Sequence, residues 1–372
     1  MTTRSQPAAD QDAAHLRRAL ELAERGRGAV APNPLVGAVL TAGGEVIGEG
    51  FHAVLGGAHA EVAAIEDARG RGADPAGATL YVTLEPCAHH GRQPPCTDAI
   101  LAAGIARVLV ASEDPSEKAS GRGPGILRDG GVEVAFAEGP EATRARLLNQ
   151  AFRKLARTGR PLVVHKAAIS LDGATAASSG DSRWISGAES RALVHGWRAQ
   201  AGAVAVGIGT ALADDPLLTA RDVDARRQPA RVVFDREARL PLESRLVATA
   251  DESPVLVVCG AGAPAERTEA LRQRGVGTIT AETLAAALVE IGRRGIDSLL
   301  LEGGATLAGA FLAAGEIDEL RLFVAPVLLG GAARPLYAGE GAATISDALR
   351  PLAIEHERVG ADLLLRARLR EW

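Results

Sequence analysis

The chain has 372 residues, 47% of them apolar and only 3% aromatic, with a formal net charge of −5. That length predicts two domains of ordinary size, with cores built from Ala, Val and Leu. An acidic balance without a basic stripe gives no reason to expect a nucleic-acid partner. The lack of a long apolar run argues against a membrane span, and three cysteines argue against a disulfide framework. The segment Met1–Asp12 is polar and has no apolar signal core. The expectation is a soluble cytoplasmic protein acting on a small molecule.

In chain order, Ala13–Arg25 has helical periodicity, and Val36–Leu40 with Glu45–Gly50 predicts a hairpin around Gly43-Gly44. A helix opens at His59, followed by a strand at Thr79–Leu84, a helix at Thr97–Ala103 and a strand at Arg107–Ser112. A short helix to Leu127 and a strand at Val132–Phe136 follow. Strands spaced by short helices predict a three-layer α/β/α sandwich. Pro140–Thr158 reads as one connecting helix, and Gly159-Arg160-Pro161 as the boundary, giving domains over 10–152 and 160–372.

The first domain carries the most specific signal. His59-Ala60-Glu61 is followed by Pro86-Cys87 and then Cys96. One imidazole, two thiols and a carboxylate two residues from the imidazole are the inventory of a zinc-dependent deaminase. In that chemistry His59, Cys87 and Cys96 hold Zn²⁺ and Glu61 moves protons. Two thiolates leave the metal little net charge, so a carboxylate beside the water has to take its proton. Pro86 before a helix start would put Cys87 at a helix N-terminus, where the dipole favours a thiolate. Eight residues separate the cysteines instead of the usual two, and within them His89 and His90 are rival ligands. A zinc site that only staples the fold is the other reading, and it leaves Glu61 without a job.

The second half restarts with an apolar strand, Leu162–Ile169, that contains Lys166, one of three lysines in the chain. Lys166 is either a cation beside a ligand or a strand-end side chain reaching water. Further elements are a helix at Glu189–Ala199 and strands at Ala203–Val206, Ala230–Phe234, Val255–Val258, Ser298–Leu301 and Glu319–Val324. Neither a dinucleotide fingerprint nor a P-loop is present. Leu301-Glu302-Gly303-Gly304 is a strand ending in two glycines before a helix, which is either an anion site for a cofactor pyrophosphate or a simple turn.

Taken together, the chain from Asp10 onward resembles the bifunctional riboflavin-biosynthesis deaminase–reductase family. The resemblance rests on Pro32-Asn33-Pro34, Gly48-Glu49-Gly50-Phe51-His52, His59-Ala60-Glu61 and the run from Thr83 to Cys96, whose eight-residue spacer is a family feature. In the second half it rests on Lys166, Ser170-Leu171-Asp172-Gly173, Ser182-Arg183-Trp184, Arg198, the run from Gly207 to Arg221, Glu302-Gly303-Gly304 and Ala325–Gly331. It implies a cytidine-deaminase-like domain joined to a dihydrofolate-reductase-like domain, with Zn²⁺ and NADPH as cofactors. The implied reactions are deamination of a diamino-ribosylamino-pyrimidinone phosphate and then reduction of its ribosyl group. It further implies a homodimer through the reductase half.

The resemblance puts Asn33, His52 and Arg92 on the pyrimidine substrate, although Asn33 could be a turn residue and His52 a strand-end residue. Lys166 and Asp172 would lie by the sugar and nicotinamide, with Lys166 taken as catalytic alongside Glu61 of the first domain. Ser182, Arg198, Leu218, Arg221 and Glu302 would contact the substrate, the arginines suiting a phosphate monoester. Ala168, Trp184, Thr210, Asp214 and a loop of Gly304, Ala305, Thr306, Leu307, Ala308, Gly309 and Ala310 would face NADPH. Structural alternatives remain for Trp184 as a packed aromatic, Asp214 as a turn residue and Arg198 as a solvated helix residue.

Overall fold

A computed structural model describes residues 6–91, 93–117, 119–331 and 333–372. The chain divides into two compact units, residues 1–157 together with Trp372, and residues 158–371. Each is described on its own.

Unit 1 contains α1 (Gln6–Glu24), β1 (Gly37–Ala42), β2 (Glu45–Phe51), α2 (Ala60–Gly70), β3 (Thr79–Val82) and α3 (Cys96–Ala102). It continues with β4 (Arg107–Val110), α4 (Arg122–Asp129), β5 (Glu133–Phe136), α5 (Pro140–Leu148) and α6 (Gln150–Thr158). The sheet order is β2-β1-β3-β4-β5, antiparallel at β2-β1-β3 and parallel from β3 to β5. Alternate strand residues feed two cores. Ala38, Leu40, Leu80, Val82, Val108 and Val110 meet α2, α3 and α4, whereas Val39, Tyr81 and Leu109 meet α1 and α5. This period of two makes the three-layer sandwich the sequence predicts.

The hairpin turns on Gly43 (φ 60°) and Gly44 (φ 90°), the left-handed pair that a two-residue hairpin loop needs. On β2, a Cβ added at Gly50 would lie 2.4 Å from both the Ala60 carbonyl oxygen and the Ala64 nitrogen. The bare backbone of this strand lets α2 press directly onto the sheet, and α2 carries the functional residues at its start.

Two local expectations differ from the structure. The single helix over Pro140–Thr158 is two, broken at Asn149, whose side-chain amide instead accepts from Leu35 N (2.8 Å) and donates to Leu35 O (2.9 Å). Cys87 does not open a helix; it lies in the segment between β3 and α3, and Cys96 is the first residue of α3. Pro95 therefore occupies the cap position that the sequence reading gave to Pro86.

Unit 2 contains β6 (Leu162–Ser170), α7 (Ala188–Gln200), β7 (Ala203–Gly207), α8 (Ile208–Asp214), β8 (Ala230–Phe234) and α9 (Arg245–Ala248). Then come β9 (Val255–Cys259), α10 (Ala265–Gln273), β10 (Gly277–Thr280), α11 (Leu284–Arg293), β11 (Ser298–Leu301), α12 (Ala305–Ala313), β12 (Glu319–Ala325), β13 (Ala353–Val359) and β14 (Asp362–Arg368). The nine strands run β10-β9-β8-β7-β11-β6-β12-β14-β13, parallel through β12 and closed by an antiparallel hairpin. Valine, leucine and alanine runs in β6, β7, β8, β9 and β11 fill both faces, as strands buried between helix layers do. Ligands of such sheets bind beyond the carboxyl ends of the strands. The ends of β7 and β11 lead there into Gly207 and Glu302-Gly303-Gly304.

Candidate functional site

In unit 1, α2 presents Glu61 from its first turn with His59 as its N-cap, so both side chains start from one helix end. The segment after β3 brings Cys87, and α3 brings Cys96. His59 Nδ1 lies 3.1 Å from Cys96 Sγ and 3.5 Å from Cys87 Sγ, and the three donor atoms all fall within 4.8 Å of one another. A tetrahedral ion with bonds of about 2.0–2.3 Å needs donors about 3.3–3.8 Å apart, so one nitrogen and two sulfurs at these separations fit Zn²⁺. His89 and His90 are exposed and take no part in this cluster.

Neighbouring amides complete the arrangement. Cys96 N, at the open start of α3, donates to Cys87 Sγ at 3.3 Å. The helix end thus supports the Cys87 sulfur from across the site, not from its own helix. Hydrogen bonds from the Cys96 thiol and from His59 pull the Cys87 thiol well down, and the same proton sharing pushes Cys96 up. His59 is raised by its bond to Cys87. Glu61 is only 3% exposed, and burial with help from Cys87 pushes its carboxyl up to about 7. Gln93 Nε2 donates to Gly56 O at 2.9 Å, tying the loop between the cysteines to the loop before His59.

Asn33 and His52 meet beside this cluster. His52 Nδ1 faces Ala58 O at 3.0 Å, so that nitrogen carries the proton and Nε2 accepts from Asn33 Nδ2 at 3.2 Å. Burial lowers the His52 imidazole and keeps it neutral. The His52 and His59 rings lie edge to face, 5.4 Å between centroids. Arg92 lies outside the described residues.

In unit 2, a cleft of about 1140 Å³ opens over the carboxyl ends of β7 and β11. Lys166, Ala167 and Ala168 of β6 line it. Ser182, Trp184, Arg198, Thr210, Asp214, Leu218, Arg221 and Glu302 also line it. At its centre Glu302 accepts from Arg198 Nε (2.7 Å) and Nη2 (2.9 Å), with Lys166 Nζ 3.7 Å away. Burial works against the Glu302 charge, but Arg198 and Lys166 outweigh it and hold the carboxyl below its ordinary value. Trp184 is 71% exposed, with the Arg191 guanidinium over its ring at 4.7 Å, and so is not a packed core aromatic. Asp214 pairs with Arg183 at 2.9 Å.

The long loop expected to face NADPH is shorter in the structure. Gly304 through Leu307 line the cleft. Ala308 and Gly309 are buried within α12, and a Cβ at Gly309 would lie 1.8 Å from Ala338 O. Ala310 is exposed but off the cleft. A helical repeat turns these residues away once α12 begins at Ala305. Asp172 also lies off the cleft, its carboxylate accepting from Leu329 N (3.2 Å) and Gly330 N (2.7 Å). Residues that sequence reasoning missed are Arg183, Arg191, His195, Arg245 and Arg334 on the cleft and Asn149, which holds Leu35 two residues after Asn33. The surplus of arginine over lysine was visible, but nothing in the sequence says which arginines converge.

Such a cleft suits anionic ligands. Among the described residues it is lined by Lys166 and six arginines against Asp214 and Glu302. Gly303-Gly304 leads into the nine-residue helix α12, whose first N–H groups have no intrahelical partner, and a Cβ added at Gly304 would meet only Thr210 Oγ1, at 3.7 Å. These features fit a phosphate-bearing dinucleotide.

Comparison with known proteins agrees with this reading. Residues 9–112 match the family model of the cytidine and deoxycytidylate deaminase zinc-binding region, and residues 161–365 match that of the RibD C-terminal domain. The riboflavin biosynthesis protein RibD of Escherichia coli is 40% identical over 368 residues, covering 95% of this chain and 98% of its own. The chain belongs to the RibD family. RibD of Acinetobacter baumannii superposes with a TM-score of 0.88 at 39% identity, over 98% of this chain and 100% of its own. A Thermotoga maritima diaminohydroxyphosphoribosylaminopyrimidine deaminase/5-amino-6-(5-phosphoribosylamino)uracil reductase gives 0.84 at 34%, with the same coverage. The protein is thus a bifunctional enzyme of riboflavin biosynthesis, with a zinc-binding deaminase domain and an NADPH-dependent reductase domain. No helix among the described residues is long and apolar enough to cross a membrane.

Proposed function

We propose that residues 10–152 deaminate 2,5-diamino-6-ribosylamino-4(3H)-pyrimidinone 5′-phosphate and residues 160–372 reduce the product with NADPH. The end product is 5-amino-6-ribitylamino-uracil 5′-phosphate. The observation that carries this reading is the buried Glu61 carboxyl beside the three-donor cluster of His59, Cys87 and Cys96. A metal that only stapled the fold would leave that buried carboxylate unexplained. The Thermotoga relative, whose description names both activities, supports the choice of substrate.

In the deaminase half, His59, Cys87 and Cys96 would hold Zn²⁺, which would supply Lewis acidity toward a water. Glu61 takes a proton from that water and delivers it to the departing amine, so that a C–O bond replaces the C–N bond and ammonia leaves. Asn33 and the neutral His52 orient the pyrimidine, and Arg92 is a further substrate contact. In the reductase half, Ser182, Arg198, Leu218, Arg221 and Glu302 bind the substrate, and Lys166 stands beside the reacting sugar carbon. Ala168, Trp184, Thr210, Asp214 and Gly304 to Leu307 would hold NADPH, which would supply hydride for C1′ of the ring-opened ribosylamino group, the C1′=N π pair moving to nitrogen and taking up a proton. The protein's share of that step is orientation and charge. The same reading makes the protein cytoplasmic, with reduced cysteines, and a homodimer through the reductase half.

A coupled assay of zinc-loaded protein tests the reading, following ammonia release and NADPH absorbance together. Wild type releases ammonia and then consumes NADPH, and Glu61→Gln loses both. When the deaminated intermediate is supplied, Glu61→Gln consumes NADPH normally. Ammonia release by Glu61→Gln at the wild-type rate would remove Glu61 from the mechanism.

A further inference from the structure

One wall of the reductase cleft is the loop that carries Leu218 and Arg221. Leu218 (φ 57°) and Asp222 (φ 59°) both adopt the left-handed conformation that side-chain-bearing residues rarely take, so neighbouring groups must hold this loop in shape. Three side chains from outside the loop do so. Gln228 Nε2 donates to Ala220 O at 3.0 Å while Ala220 N donates to Gln228 Oε1 at 2.9 Å. Arg221 N donates to His195 Nδ1 at 3.2 Å. Arg198 Nη1 donates to Thr219 O at 3.2 Å, with its other edge fixed on Glu302. Four consecutive backbone groups, from Thr219 O to Arg221 N, are therefore held one by one.

The held segment ends at a side chain that reaches the ligand. Arg221 lines the cleft and its guanidinium rests on Thr219 Oγ1 at 3.2 Å. Arg198 has part of its fork committed to Glu302 and Thr219, so Arg221 is the less encumbered of the two phosphate-side arginines. His195 accepts the Arg221 amide only with Nδ1 unprotonated. Burial, then the charges of Arg198 and Arg221, lower its imidazole, and the Arg221 N–H marks Nδ1 as the accepting nitrogen.

We propose that His195 and Gln228 are positioning residues of the reductase: they fix the backbone of Thr219, Ala220 and Arg221 so that the Arg221 guanidinium meets the substrate phosphate already ordered. Preorganisation of this kind improves binding by removing the ordering cost from the binding step. The inference rests on the proposed role of Arg221 as a substrate contact.

The test is steady-state kinetics of the full chain on the deaminated ribosylamino-uracil phosphate, with NADPH. His195→Gln moves the polar atoms away from the Nδ1 position, and Gln228→Ala removes the amide clamp. Each raises KM for the phosphorylated substrate about three- to tenfold, the net value of one or two hydrogen bonds, with kcat within about twofold. KM for NADPH and ammonia release by the other half of the same chain stay at wild type. His195→Asn, which returns an acceptor oxygen near the Nδ1 position, recovers most of the loss. In an Arg221→Ala background neither change adds a further penalty. Additive penalties in that background, or a parallel rise in KM for NADPH, would overturn the positioning role while leaving Arg221 as a contact. An Arg221→Ala enzyme with unchanged KM would overturn the Arg221 assignment itself, and the positioning role with it.

Discussion

Replacing Gly50 by alanine adds one methyl group against the backbone of α2 and is expected to abolish most of the deaminase activity. The added Cβ would sit 2.4 Å from Ala60 O, 2.4 Å from Ala64 N and 2.8 Å from Ala63 C, all backbone atoms of α2. Backbone cannot step aside by changing rotamer, so α2 has to move back by about 1 Å to restore ordinary contact. His59 caps that helix and Glu61 lies in its first turn, while Cys87 and Cys96 come from other elements and stay behind. Catalytic groups tolerate roughly 0.5 Å of displacement, and a 1 Å error costs on the order of a hundredfold in rate. Overpacking should also destabilise unit 1 by about 1–3 kcal/mol. The assay is ammonia release against NADPH oxidation on the deaminated intermediate, with bound zinc measured on the same samples. Deamination falls about a hundredfold and reduction is unchanged. A Gly50→Ala enzyme that deaminates within about twofold of wild type would refute the argument that this strand–helix contact sets the geometry of the site.

Other consequences follow from the same contacts. Glu302→Gln removes the acid that, among the described residues, lies within salt-bridge distance of both Lys166 and Arg198, and should destabilise unit 2 by about 3 kcal/mol, the lower range for breaking a largely buried pair. Chemical denaturation monitored on the reductase transition measures it. Because the Glu302 carboxyl is held below its ordinary value in the folded state, its contribution is fully present above the unfolded value of about 4.5. It is lost as pH falls through the lowered folded value, so the gap between wild type and Glu302→Gln should close on acidification. Asp172, held down to about 2 by the Ser170 hydroxyl and the Gly330 and Leu329 amides, should titrate near that value in carboxyl-carbon NMR, and a value near 3.8 would deny those bonds in solution. Zinc chelation should end ammonia release while NADPH oxidation on the deaminated intermediate continues, since the donor cluster lies wholly in unit 1.

Much of this was legible in the sequence because it depends on neighbours along the chain. Two-residue alternation in Val39, Leu40, Leu80 and Tyr81 determines which side chains face which helix layer. The spacing of His59 and Glu61 puts both at one helix start, and the residue types around Cys87 and Cys96 specify a nitrogen–sulfur metal site. Motif runs from Gly207 to Arg221 and at Glu302-Gly303-Gly304 carried the resemblance to the family, and the comparisons bear that out.

Tertiary structure decided what depends on groups distant in sequence. Nothing local says that Cys96 opens α3 and turns its amide toward Cys87, or that Asn149 interrupts a helix to hold Leu35. Nor does spacing reveal that Lys166 from β6, Arg198 from α7 and Glu302 after β11 converge, since strand order places β11 between β7 and β6. The start of α12 at Ala305 turned Ala308 and Gly309 into the core, although the sequence reading placed them on the cofactor. Periodicity fixes which face of an element is apolar, whereas the partner of a polar side chain is chosen by packing across the sheet. For that reason the chemistry of the first half was readable from residue types and that of the second only through the family resemblance, and the clamp around Arg221 was not readable at all.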